Sequence, residues 1–220
     1  PKYKAQKAKI FSPDGYQKLM HEIAGTQLQY LYTFAWDSGM RRGEISALRW
    51  CDFDPIHSTI TMENAAKRTK KRGEYIDKPK SKDSVRKLKL SASAVTNLLH
   101  WKERLAERLL DAGIAWDDNG FIFRSEKYPE RKMPNSTISN TFRKLRIRLN
   151  LPEGTRFHSF RPTNATILAE HDINPKKIQI WLGHSSAAFS LDRYVHATQT
   201  MQAGISEALE DAKTIYTNMN

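Results

Sequence analysis

In its last third the chain runs through His158-Ser159-Phe160-Arg161, then Leu182-Gly183-His184, then Tyr194-Val195-His196. A histidine three residues before an arginine, a second histidine 23 past that arginine and a tyrosine ten further on make chemical sense as a set. A phenol is neutral below a pKa of about 10, so a tyrosine that attacks phosphorus needs a nearby base, a cationic field, or both. Upstream, Gly39-Met40-Arg41-Arg42-Gly43-Glu44 brings two arginines, and Pro79-Lys80-Ser81-Lys82 brings amines. Guanidinium stays charged and presents a planar fork of donors that matches two phosphate oxygens. Imidazole gives or takes a proton near neutral pH. His158, His184 and His196 could be imagined around a metal, but no His-x-x-x-His pair occurs and Cys51 is the single cysteine, so no ligand spacing supports one. The group reads as phosphoryl transfer without a metal.

Those side chains need a scaffold, and hydrophobic periodicity outlines it. Ser12 with Pro13 behind it starts a helix, and Phe11 is placed to staple it. A second helix runs from Leu28 to Ser38 and ends at Gly39; residues 44–49 form a short third, which puts Arg41 in the turn between them. Ser58 to Met62 and Val85 to Leu90 read as strands, and Lys67-Arg68-Thr69-Lys70-Lys71-Arg72-Gly73 between them as a basic hairpin or loop. Ala92 to Leu110 is the longest helix, with Val95, Leu98, Leu99, Leu105 and Leu109 at helical spacing. Ser136 to Leu149 follows, with Ile138, Phe142, Leu145 and Leu149 inward and Arg143, Lys144, Arg146 and Arg148 outward. His158 to Glu170 and Asn174 to Leu182 complete the set, the last with Asn174 as N-cap, Pro175 at N1 and Gly183 as terminator. The expected fold class is mainly α with a small antiparallel β-sheet.

Composition narrows the partner. With 36 basic and 24 acidic residues the net charge is +12, a field that attracts polyanions, nucleic acid first among them. No run approaches the ~18 apolar residues of a membrane span, and no charged-then-apolar signal peptide opens the chain. One cysteine leaves no internal disulfide, as fits a reducing cytosol. The chain starts at Pro1 rather than Met, and Lys2, Lys4, Lys7 and Lys9 alternate with small or polar residues. Residues 1–10 read as the end of a basic linker from a preceding segment.

Taken together, these residues resemble the tyrosine recombinase, or phage integrase, family, from about Phe11 to about Ala208. Its first box, Gly-hydrophobic-Arg-x-x-Glu before Leu-Arg-Trp, matches Gly39 to Trp50; its second, His-x-x-Arg, Leu-Gly-His and Tyr, matches in order. The resemblance implies a catalytic domain over 11–198, from a prophage or mobile element, preceded by a DNA-binding region. It implies Tyr194 as nucleophile, Arg41 and Arg161 on the non-bridging oxygens of the scissile phosphate, and Lys80 as general acid for the departing 5′-oxygen. Lys78 and Lys82 stand close enough to compete for that last role. His158 becomes the acid–base partner of the tyrosine proton, and His184 bonds a phosphate oxygen or positions the nucleophile. Arg42 competes with Arg41, but the family's arginine lies three before the glutamate. Glu44 either orients Arg41 or merely opens a helix favourably. Many relatives carry a second histidine where this chain has Pro162, a change beside Arg161.

Neither a metal nor any other cofactor is implied. The expected partner is double-stranded DNA at recombination sites, gripped by Lys67, Arg68, Lys70, Lys71, Arg72, Arg143 and Arg146, in the bacterial cytoplasm at the nucleoid. Residues 199–220 carry Met201, Ile205, Ala208, Leu209, Ala212 and Ile215 on one helical stripe. That stripe packs on its own domain or docks on a neighbouring protomer, as in the family's DNA-bound homotetramers. The activity implied is site-specific recombination through a 3′-phosphotyrosyl intermediate. Type IB topoisomerase chemistry and non-catalytic DNA binding are the alternatives.

Overall fold

Gly39 lies in the left-handed region (φ 59°, ψ 16°) and its N–H closes the preceding helix on Ala35 O. A Cβ is disfavoured in that conformation, so glycine here turns the chain sharply towards Arg41. Ser38 reinforces the turn: its hydroxyl donates to Phe34 O at 2.6 Å and accepts Met40 N–H at 3.3 Å. The molecule is described by a computed structural model over residues 9–69, 71–77 and 85–183. It divides into two compact units, Pro1–Ala165 and Thr166–Asn220.

In chain order the first unit holds α1 (Pro13–Glu22), α2 (Gln27–Ser38), α3 (Arg42–Ala47), β1 (Phe53–Asp54), β2 (Thr59–Met62), β3 (Ala65–Thr69), β4 (Gly73–Asp77), β5 (Arg86–Lys89), α4 (Ala92–Asp111) and α5 (Asn135–Arg148). The helix α6 (Phe160–Glu170) begins in it and ends in the second unit, where α7 (Pro175–Leu182) follows. This is the mainly helical α+β architecture that the periodicity predicts. Ser12 caps α1 by accepting Gly15 N–H, and Asn174 caps α7 by accepting Lys176 N–H. The third helix starts earlier than the sequence suggests, at Arg42, because the Glu44 carboxylate accepts the Arg41 N–H and closes the first turn. It also stops earlier, since Leu48 is extended and Arg49 pairs with Phe121 in an isolated bridge.

Two antiparallel sheets flank the helices. One has the order β1-β2-β5; the other is the β3–β4 hairpin, whose pairing from Ala65↔Asp77 to Thr69↔Gly73 settles the basic stretch as a hairpin. The longest helix buries Ala94, Leu98, Trp101, Leu105 and Leu109, whereas Leu99 falls off that face and stays exposed. Trp101 donates its indole N–H to Ile122 O at 2.7 Å and lies near Tyr30 of α2, with ring centroids 5.3 Å apart.

An aromatic cluster builds the half of the core beneath the His-x-x-Arg segment. Tyr32 of α2 lies within 6 Å, centroid to centroid, of Phe142 of α5 and of Phe157 and Phe160. Phe11 covers Phe160 at 4.7 Å. Phe157 and Phe160 flank a 3-10 turn (Phe157–Ser159), so burying both rings leaves His158 facing outward and carries Arg161 to the C-terminal end of α2. Pro162 sits in the first turn of α6, where a missing N–H interrupts the helix least.

Gly43 fixes the hairpin. A Cβ on this residue would stand 2.5 Å from the Ala66 carbonyl oxygen, a clash with backbone rather than with a flexible side chain. Gly43→Ala is therefore expected to push β3 away from α3 and destabilise the protein by about 1–3 kcal/mol. Urea denaturation measures this; an unchanged midpoint would show that the hairpin shifts freely.

Candidate active site

Arg41 stands at the N-cap of α3, where the backbone is extended. Glu44, one turn on, accepts its N–H at 2.8 Å and its Nη1 at 2.9 Å. The two readings of Glu44 therefore coincide: it caps the helix and holds the arginine with the same carboxylate. A third group joins them that the sequence reading did not single out. Arg86, the first residue of β5, donates Nη1 to Glu44 Oε1 at 3.2 Å and Nη2 to Oε2 at 3.1 Å. Its side chain is 8% exposed against 40% for Arg41, so one carboxylate is held by a buried fork on one side and an open one on the other. Burial by itself would raise the Glu44 pKa. The charge and hydrogen bonds of Arg86, then the N–H and charge of Arg41, outweigh it and hold Glu44 below the ordinary glutamate value.

Arg161 reaches the same place from α6. It is 4% exposed and donates Nη1 to Gly39 O at 2.9 Å, which ties it to the turn that sets Arg41. Burial first, and then the charge of Arg41, pull its pKa down to about 9; Glu44 opposes this and Arg86 adds to it. Arg41, Arg86, Arg161 and Glu44 together carry three positive charges and one negative. Such a cluster attracts an anion.

His158 and Arg41 line one cleft of about 450 Å³, together with Arg42, Ser139 and Arg156. Arg42 donates Nη1 to Ser139 Oγ, and its pKa is lowered by burial and raised in part by Glu74. That leaves Arg42 on the cleft wall, while Arg41 has the contacts to Glu44. A second cleft of about 640 Å³ is lined by Arg42, Lys67, Arg68, Tyr75 and Ser136. Since Arg42, Ala66 and Asn135 line both, the two join into one trough along the hairpin. Lys67 is held by Asp77 at 3.0 Å, while Arg68, Lys71 and Arg72 are exposed and Arg72 lies over the Tyr75 ring. Ser136, Ser139, Arg143 and Arg146 follow one another at three- and four-residue steps along α5, so the two arginines continue the face that opens the trough. The hairpin is pinned to the start of α5 by Glu74, which accepts Asn135 N–H at 2.7 Å and Lys132 Nζ at 3.0 Å.

Lys70, Lys80, His184 and Tyr194 lie outside the described residues, as does the 199–220 stripe. Among the described residues no three His, Cys, Asp or Glu side chains stand close enough to hold a metal ion, and no helix is long and apolar enough to cross a membrane.

Residues 9–201 match the phage integrase family. The chain belongs to that family. Within it, the chain is 27% identical over 214 residues to a XerC-like tyrosine recombinase of Caldanaerobacter subterraneus subsp. tengcongensis, covering 91% of this chain and 54% of that protein. It is 28% identical over 211 residues to the ICEBs1 integrase of Bacillus subtilis (strain 168), covering 94% and 55%. The chain thus spans about half the length of the curated relatives it matches. Its fold is that of the Tn1549 transposon integrase, solved in complex with transposon right-end DNA, with a TM-score of 0.78 at 23% identity over 94% of this chain and 68% of that one. The XerA recombinase shares the fold with a TM-score of 0.65 at 21% identity, over 88% and 61%.

Proposed function

We propose that this phage integrase family chain is the catalytic part of a site-specific tyrosine recombinase that integrates or excises a mobile element. The observation that carries the reading is the gathering of Arg41, Arg86 and Arg161 around the carboxylate of Glu44, beside a cleft that also exposes His158. A phosphodiester is the kind of anion that such a cluster of guanidinium groups binds. In the pentavalent transition state charge grows on the equatorial oxygens, and cations already fixed there lower the barrier without reorganising.

In the proposed reaction Arg41 and Arg161 hold the two non-bridging oxygens. The Tyr194 oxygen attacks phosphorus while its proton passes to His158, and His184 bonds the phosphate or steers the phenol. The bond to the 5′-oxygen breaks as Lys80 gives that oxygen a proton, leaving a 3′-phosphotyrosyl link and a free 5′-hydroxyl. A 5′-hydroxyl of a second duplex then attacks the link, expelling the tyrosine and joining the strands. The number of phosphodiester bonds is conserved, so no nucleotide cofactor is consumed.

Arg68, Lys71, Arg72, Arg143 and Arg146 carry the DNA backbone along the trough, helped by Lys67 and Lys70. Each phosphate contact should add about 0.9 to the slope of log affinity against log salt. Residues 1–10 link this domain to a preceding DNA-binding region, and residues 199–220 dock between protomers of a homotetramer on DNA in the bacterial cytoplasm. Two duplexes bearing the attachment site, incubated with the intact protein and a chelator, test the reading. Strand exchange is expected. Relaxation of supercoiled DNA without exchange would indicate a topoisomerase, and binding without cleavage a non-catalytic protein.

A further inference from the structure

The Glu44 carboxylate accepts four hydrogen bonds: the Arg41 N–H, one Arg41 guanidinium nitrogen, and both terminal nitrogens of Arg86. Two carboxylate oxygens offer about four lone-pair sites, so these bonds fill the group. The two arginines are not equivalent. Arg86 has the parallel two-nitrogen pairing, the stronger arrangement for guanidinium and carboxylate, and it is buried. Arg41 touches Glu44 through Nη1 and its side chain is open to the cleft that His158 lines. If β5 did not deliver Arg86, the buried carboxylate would have Arg41 as the neighbouring fork with which to make that pairing.

We infer that Arg86 is a positioning residue: by occupying both oxygens of Glu44 it prevents Glu44 from drawing Arg41 into a two-nitrogen pair, and so leaves Arg41 turned towards the scissile phosphate. The inference rests on the recombinase reading above. Arg86 touches neither substrate nor nucleophile in this scheme. It acts through Glu44 on Arg41.

The test compares Arg86→Gln, Arg86→Lys, Glu44→Gln and the double variant Glu44→Gln/Arg86→Gln in the intact protein. Cleavage of a nicked attachment-site duplex is timed at saturating DNA, and DNA affinity is measured separately. Arg86→Gln should slow cleavage about 10–100-fold, the range typical of residues that orient a functional side chain, with affinity within about threefold of wild type. In the Glu44→Gln background the same Arg86→Gln change should slow cleavage less than about threefold, because the carboxylate that would capture Arg41 is gone. Arg86→Lys, which keeps the charge but cannot span both oxygens, should fall between wild type and Arg86→Gln; it decides the matter if Arg86→Gln does not fold. Losses that multiply in the double variant, affinity and rate falling together, or a wild-type rate in Arg86→Lys would overturn the inference while leaving the recombinase reading in place. A wild-type protein that binds the duplex but never cleaves it would overturn both.

Discussion

Arg161→Met is expected to lower DNA cleavage by about 10³-fold or more while leaving folding stability within about 1 kcal/mol of wild type, or raising it. The two halves of this result come from one observation. Arg161 is 4% exposed, and its surroundings disfavour its charge, through burial first and the neighbouring Arg41 second. Methionine fills much of the same volume without a charge to desolvate, and that relief offsets the loss of the arginine's bonds, the one to Gly39 O among them. On the proposed mechanism, catalysis loses one of the two guanidinium forks that hold the phosphate. Single-turnover cleavage and thermal melts on the same preparation measure both. Retained cleavage would remove Arg161 from the phosphate clamp, and a large loss of stability would make it a structural pin of the α2–α6 contact.

Glu44→Ala carries the opposite signature. Removing the carboxylate leaves Arg86 buried without its two-nitrogen partner and opens the capping box of α3. Breaking a buried pair from one side typically costs about 3–5 kcal/mol, and the residue is 7% exposed, so little solvent screening reduces it. The pH dependence has a definite sign. Glu44 titrates below its ordinary value in the folded protein, so its contribution to stability is complete above the unfolded-state value of 4.5 and is lost as pH falls through the lower folded value. Wild type should therefore show an acid limb in its stability curve below about pH 4.5 that is shallower in Glu44→Ala. Denaturant titrations from pH 3 to pH 7 would reveal it; parallel acid limbs in the two proteins would contradict the assignment.

Much of this arrangement is legible in the sequence. Gly39 ends α2 in the left-handed region as its position suggested, and the caps at Ser12 and Asn174 lie where the sequence puts them. These are local signals, carried by single residues whose conformational preferences are strong. The short pairings were not legible: β1 has two residues, and the Arg49–Phe121 bridge joins segments far apart in the chain. Leu99 keeps the helical spacing yet stays exposed, because spacing cannot by itself say how wide the buried stripe is. The most consequential residue not singled out was Arg86. A charged residue in a strand with Lys87 and Lys89 reads as part of a solvated face. Yet Arg86 and Leu88 are two apart and share a side of β5, and Leu88 is buried, so alternation alone placed Arg86 on the inner face. What no local pattern could supply is that Glu44, on a helix 42 residues earlier, would be there to meet it.

In the proposed reaction Tyr194 becomes covalently attached to DNA with no metal required. The direct measurement is trapping on a nicked duplex carrying the attachment site, with chelator present, followed by a denaturing gel of the intact protein and its Tyr194→Phe variant. A slow-migrating protein–DNA adduct is expected from wild type and none from Tyr194→Phe, with both proteins binding the duplex equally. An adduct that survives in Tyr194→Phe, or no adduct from a wild-type protein that binds the site, would contradict it.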